Sequence, residues 1–105
     1  MAFQIPKAVT PQEVAEQIQK GKSLNVLDVR ELAEWVEGHV EGAKHIPLGQ
    51  LIERHKELDR GQEFIIMCRS GNRSGLACEL LYEKGYKVVN MTGGLTVWNS
   101  VLVRD

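Results

Sequence analysis

One cysteine in this sequence ends an apolar run and opens a loop of small polar residues: Glu63-Phe64-Ile65-Ile66-Met67-Cys68, then Arg69-Ser70-Gly71-Asn72-Arg73-Ser74. The chemistry open to a thiol at such a junction is nucleophilic. The thiolate is the attacking form, and positive potential lowers a thiol pKa from about 8.5 into the range ~3.5–7.5. Arg69 and Arg73 supply two cations. Gly71 permits backbone geometry closed to other residues, and Ser70, Asn72 and Ser74 turn the chain without filling the hollow. Successive N–H groups facing inward would form an anion-binding nest, reinforced by the N-terminus of the helix that follows. Such a hollow stabilises the sulfur anion, recruits an anionic substrate and holds the charge of a covalent adduct.

Each of these residues also has a plain structural role open to it. Cys68 can end a core strand as a small buried hydrophobe. Arg69 and Arg73 can be solvated loop charges. Ser70, Asn72 and Ser74 can be turn residues, with Ser74 expected to cap the following helix in either case. The sulfur separates the two. Nucleophilic chemistry needs position 68 ionised near neutral pH, open to solvent and faced by inward amides.

The elements that must hold this loop are legible in outline. A length of 105 residues fits one domain, expected to span 1–105. Apolar residues make up 43% and charged residues 26%, which excludes disorder, collagen and coiled coil. A net charge of −1 gives no bulk pull toward nucleic acid or an anionic membrane. Two cysteines make no disulfide framework. Met1 to Lys7 lacks a basic stretch followed by an apolar one, so no secretory leader is expected, and no apolar run approaches a membrane span. A reducing cytoplasm with both thiols free is the expectation.

Thr10-Pro11-Gln12-Glu13 predicts a helix start with a capping box, and Gly21 its stop. Residues 24–29 predict a buried strand. Glu31 to Glu37 predicts a helix with Leu32, Trp35 and Val36 on its apolar face. Residues 42–47 predict a turn and a brief strand. Gln50 to Leu58 predicts a helix with Leu51, Ile52, His55 and Leu58 on one side. Residues 63–68 are apolar from Phe64 onward, as in a strand buried on both faces of a parallel sheet. Ser74 to Lys84 predicts a helix with Leu76, Ala77, Leu80 and Leu81 inward, and residues 87–91 another strand. Gly93-Gly94 opens a last turn, where the chain either passes close to the site or turns sharply. Strands alternating with helices give the α/β class, in which ligands bind at the carboxyl ends of the strands. Cys68 stands at such an end.

Several motifs in order carry a family resemblance: Leu27-Asp28-Val29-Arg30-Glu31, Glu34-Trp35, Gly38 through Pro47, Cys68 through Ser74, Gly85-Tyr86-Lys87-Val88, and Gly93-Gly94 with Trp98. The chain resembles a single-domain rhodanese, a sulfurtransferase fold. The resemblance implies a central five-stranded parallel sheet flanked by helices on both faces. It also implies that Cys68 carries sulfane sulfur as a persulfide, cradled by the backbone of residues 69–73, and that no metal or organic cofactor takes part. From Cys68 to Arg73 the spacing is Cys-x4-Arg. The related phosphatases and arsenate reductases look like Cys-x5-Arg, and a tighter ring suits a terminal sulfur better than a tetrahedral oxyanion.

The expected reaction is ping-pong transfer of sulfur from a small anionic donor such as thiosulfate to cyanide or a thiol. The alternatives are a persulfide carrier or protein-binding module served by a sulfur-delivering protein, and, disfavoured by loop length, a phosphatase or arsenate reductase. Asp28 and Arg30 end the first strong strand beside the expected site. They either orient the loop or bind substrate, or form an ion pair tying strand to loop, and the ion pair is the expectation. His39 and His45 are expected to hydrogen-bond loops, with no metal implied. Cys78 is expected to be a packing residue, and Trp35 and Trp98 to fill gaps in the core.

Overall fold

The computed structural model describes residues 7–104; residues 1–6, most of the stretch read for a leader, and residue 105 lie outside them. Five short strands form one sheet: β1 (Ala8–Val9), β2 (Val26–Asp28), β3 (Lys44–His45), β4 (Glu63–Met67) and β5 (Lys87–Met91). Their order is β1-β5-β4-β2-β3, and every pairing is parallel. The expected α/β fold with a five-stranded parallel sheet is present. β4 is central, with Met67 beside Asp28 of β2 and Ile66 beside Asn90 of β5. That register brings the carboxyl ends of three strands together around Cys68.

Four helices flank the sheet: α1 (Pro11–Gln19), α2 (Leu32–Glu37), α3 (Leu51–Arg54) and α4 (Asn72–Glu83). The capping box of α1 is as its sequence predicts. Thr10 Oγ accepts from the Glu13 amide at 3.1 Å, and the Glu13 carboxylate accepts from the Thr10 amide at 3.0 Å. Strand periodicity decides what each face of the sheet meets. Phe64, Ile66 and Cys68 join a core with Leu51 of α3 and Ala77, Cys78 and Leu81 of α4. Met67 and Met91 join the opposite core with Val14 of α1, and Ile65, Leu95 and Trp98 pack on it. The alternation along β4 therefore points Cys68 toward α4.

Three helices differ from their sequence patterns. α2 buries none of its residues: Leu32 is 62% exposed and Val36 52%. Its less than two turns are oriented by other contacts. Trp35 stacks on the His39 ring at 3.5 Å and on the His45 ring at 4.7 Å, and Glu34 pairs with Arg73, which leaves the Leu32–Val36 stripe outward. Trp35 thus packs on imidazoles rather than filling an aliphatic gap.

The segment expected as one helix over 50–58 is three short pieces, a 3₁₀ turn at Leu48–Gln50, α3, and a 3₁₀ turn at His55–Glu57. The Tyr86 hydroxyl donates to the His55 carbonyl at 2.6 Å, and the same carbonyl accepts the Leu58 amide at 2.9 Å, the tighter i+3 bond. Leu51 and Leu58 are buried, but Ile52 is 63% exposed.

In α4 the inward line is Ser74, Ala77, Cys78 and Leu81, and Leu76 is 48% exposed. That line has the helical spacing i, i+3, i+4, i+7. Small Ala77 and Cys78 sit fully buried against the sheet. Cys78 is the packing residue expected. Burial is the main cause that pushes its thiol up to about 12, with the nearby charges of Cys68 and Glu79 adding to it.

Candidate functional site

The loop is shorter than its sequence suggests. α4 begins at Asn72, so Arg73 and Ser74 lie in its first turn, and the connection from β4 is only residues 68–71. Gly71 is the N-cap, with φ of +101°, a left-handed conformation that its missing Cβ permits. Ser74 is therefore not the helix cap. It is the third residue of the helix and fully buried, and its hydroxyl works on the inside of the loop instead.

Cys68 Sγ lies where these groups converge. The Gly71 N–H donates to it at 3.0 Å, and Ser74 Oγ lies 3.4 Å away. Burial opposes ionisation of this thiol most strongly. The Ser74 hydroxyl and the amides of Ser74, Gly71 and Ser70 outweigh it together, and the thiol pKa falls below its ordinary value. Inward amides are thus present, and they shift the thiol in the direction that ionisation requires. Access to solvent is not: Cys68 is 0% exposed in this conformation. The loop curls over its own sulfur through the Gly71 bond, and the Gly93-Gly94 turn lies against its outer side. Gly93 N is 3.1 Å from where a Gly71 Cβ would stand.

The two arginines have separate situations. Arg73 does not extend freely toward a ligand. Its guanidinium makes a bidentate pair with Glu34 of α2, Nη1 to Oε1 at 2.6 Å and Nη2 to Oε2 at 2.8 Å. The pair ties the first turn of α4 to α2 across the site, and the charge expected to orient a donor is largely spent on it. Arg69 is exposed and has no side-chain partner among the described residues. It lines a cleft of about 380 Å³ with Arg30, Glu37, Leu95 and Thr96. Ser70 is exposed and contributes its amide to the sulfur. Asn72 is exposed at the helix start, and its side chain makes no hydrogen bond among the described residues.

Asp28 and Arg30 form the expected ion pair. Arg30 Nη2 and Asp28 Oδ2 are 2.8 Å apart, with Asp28 0% and Arg30 7% exposed. Arg30 Nη2 also donates to the Gly38 carbonyl at 2.8 Å, and His45 Nε2 bonds the Arg30 carbonyl at 2.8 Å. These bonds lock the end of β2 to the chain after α2. Neither residue bonds Cys68 among the described residues. His39 Nδ1 bonds the Trp35 carbonyl at 2.8 Å, so both histidines hold loops.

Two residues at the site went unremarked as functional in the sequence. Glu34 is 39 positions from Arg73, and nothing in the spacing couples them. Asn90 had a signal: a polar residue in the apolar run Val88-Val89-Asn90-Met91, two after Val88 and so on the α4 face. Its Oδ1 is 2.6 Å from Ser74 Oγ.

The Glu34–Arg73 pair has a pH signature. The Arg73 hydrogen bonds are the main cause holding the Glu34 carboxyl down to about 2, against burial and with help from the Glu31 amide and the charges of Arg73 and Arg30. A carboxyl depressed on folding stabilises the native state above its unfolded pKa, and that stabilisation is lost as pH falls. The wild type is therefore expected to melt higher than Glu34→Gln at neutral pH. The gap should close as pH falls from the ordinary 4.5 toward about 2. Parallel thermal melts across that range check this, and a gap independent of pH would contradict it.

A family model described as Rhodanese-like domain matches residues 10–101. YtwF of Bacillus subtilis, which carries a provisional sulfurtransferase name, is 38% identical over 92 residues, 88% of this chain and 89% of that protein. YrkF of the same organism, provisionally named a sulfur carrier, is 37% identical over 98 residues; they are 92% of this chain but only 52% of YrkF. A crystal structure of a rhodanese-like domain protein from Staphylococcus aureus superposes with a TM-score of 0.89 at 27% identity, covering 94% of this chain and 98% of the other.

Proposed function

Because this chain belongs to the rhodanese-like family of sulfurtransferases and sulfur carriers, we propose that it moves a sulfane sulfur from thiosulfate or a persulfide donor to cyanide or a thiol, through a persulfide on Cys68. The single observation that carries this is a thiol at the carboxyl end of the central strand, bonded by the Gly71 N–H at 3.0 Å and lowered in pKa. We read residues 1–105 as one such domain, working in the cytoplasm without a resident cofactor.

In the first half-reaction the Cys68 thiolate attacks the outer sulfur of thiosulfate. A bond forms between Sγ and that sulfur. The bond to the inner sulfur breaks, and its electron pair leaves with sulfite. The outer sulfur keeps the negative charge it carried in thiosulfate, so the protein bears one negative charge before and after, first on Sγ and then on the terminal sulfur of the persulfide. In the second half-reaction an acceptor anion attacks that terminal sulfur and the thiolate returns. The amides of residues 70, 71 and 74 face the charge at its start, so their stabilisation needs no reorganisation as it moves. Arg69 supplies the cation that meets an incoming anion. Arg73 acts in this scheme chiefly by fixing α4 against α2. Asp28 and Arg30 support the site by holding its frame.

A covered sulfur adds a step. The segment 69–71 must lift for the donor to reach Sγ, and both the Gly71 bond and the Gly93-Gly94 contact oppose that. This feature and the name of YrkF favour a second reading, a persulfide carrier whose partner protein opens the loop. Intact mass tests both. Thiosulfate should add the mass of one sulfur atom, removed again by cyanide. No gain from thiosulfate with gain from a persulfidated protein donor selects the carrier. No gain from either refutes sulfur transfer, and turnover of a phosphoester instead would mark a phosphatase.

A further inference from the structure

Ser74 has one hydroxyl proton and three neighbours within its reach. Its Oγ lies 3.0 Å from the Gly71 carbonyl oxygen, 2.6 Å from Asn90 Oδ1 and 3.4 Å from Cys68 Sγ. With Cys68 as a thiol the network closes. The S–H donates to Ser74 Oγ, and the Ser74 hydroxyl donates to Asn90 Oδ1. With Cys68 as a thiolate it does not. The sulfur is then an acceptor and calls for the Ser74 proton. If that proton turns to sulfur, Ser74 Oγ and Asn90 Oδ1 are left facing each other at 2.6 Å with no hydrogen between them. Ser74 is fully buried, so water does not relieve the clash of lone pairs.

A carboxamide has an acceptor end and a donor end. A half-turn of the Asn90 amide presents its NH₂ to Ser74 Oγ and restores the bond. Nothing among the described residues hydrogen-bonds the Nδ2 end to prevent this. Gly75 leaves room beside it: Nδ2 is the one atom near where a Gly75 Cβ would stand, at 3.7 Å. We propose that Asn90 is a positioning residue whose amide sets the direction of the Ser74 proton, oxygen toward Ser74 when Cys68 is a thiol and NH₂ toward Ser74 when Cys68 is a thiolate. The inference rests on Cys68 being the sulfur-bearing nucleophile proposed above. It assigns Asn90 a part in readying that nucleophile without touching the sulfur or the donor.

The test is a double-mutant cycle with Asn90→Leu, which keeps the branched shape and removes both polar ends of the amide, and Ser74→Ala. The thiolate is titrated by its ultraviolet absorbance, with Cys68→Ser as the blank. Asn90→Leu should raise the Cys68 pKa by about one unit, a tenfold loss of thiolate below the midpoint, and slow the first half-reaction there by about tenfold. In the Ser74→Ala background Asn90→Leu should add nothing to either quantity. Unchanged titration in Asn90→Leu, or an equal shift with and without the Ser74 hydroxyl, would overturn the proposal. In the unaltered protein the Asn90 side-chain NH₂ resonances should move with the Cys68 midpoint and stay still in Cys68→Ser. Resonances that ignore that midpoint would also overturn it, whether or not Asn90→Leu folds. The titration needs no sulfur donor. A protein that takes no sulfur therefore refutes the proposed function while the cycle still reports on Asn90.

Discussion

Cys68→Ser is expected to abolish sulfur loading and to lower turnover by at least ~10⁴-fold, the order of loss when a covalent nucleophile is removed. The fold should survive. A serine hydroxyl is smaller than the thiol, and its polar neighbours are already in place, the Gly71 N–H and Ser74 Oγ. Stability should move by less than ~1.5 kcal/mol, because the buried oxygen finds partners. Turnover assays beside thermal melts separate the two effects. Cys78 is no substitute nucleophile, since burial pushes its thiol up to about 12. Residual loading in Cys68→Ser within tenfold of wild type would end the case for position 68.

Gly94→Ala should damage the site through the backbone alone. Gly94 has φ of +61°, and a Cβ there would stand 2.6 Å from the Cys68 carbonyl oxygen and closer still to the Arg69 carbonyl. Both obstacles are main chain and cannot swing aside. The turn must then withdraw, which breaks the bonds from the Leu95 amide to the Cys68 carbonyl and from the Thr96 amide to the Arg69 carbonyl, each 2.9 Å. Left-handed strain of about 1–2 kcal/mol and two lost hydrogen bonds of about 1 kcal/mol each give an expected loss near 3–4 kcal/mol. Activity should fall about 10²-fold in the surviving folded fraction, since the displaced carbonyls belong to the loop that holds the sulfur. Gly42→Ala is the control. Its φ is +82°, but nothing lies within 4 Å of its Cβ position, so it should show the strain alone. Equal denaturant midpoints for the two variants would mean that close packing on the loop is not what Gly94 provides.

Much of this was local and therefore readable from the chain. The capping box of α1 depends on residues three apart. The parallel sheet follows from apolar strands alternating with helical segments, and the nest around Cys68 from a strand end, a glycine and a helix start in immediate succession. The Asp28–Arg30 pair joins residues two apart on one strand end. The misread faces of α2 and the broken helix around α3 have the opposite origin. Those segments are short, so contacts from elsewhere, the Arg73 guanidinium, two imidazoles and the Tyr86 hydroxyl, fix their orientation against their own apolar patterns.

The sequence by itself determined the fold class, the cysteine and the amides beside it, because each arises within a few bonds along the backbone. Only the tertiary structure decided that Arg73 is engaged by Glu34, that Ser74 faces Asn90 rather than capping its helix, and that the Gly93-Gly94 turn covers the loop. Those are contacts between residues 16 to 39 positions apart, and the packing of α4 and the last turn on the sheet brings them together.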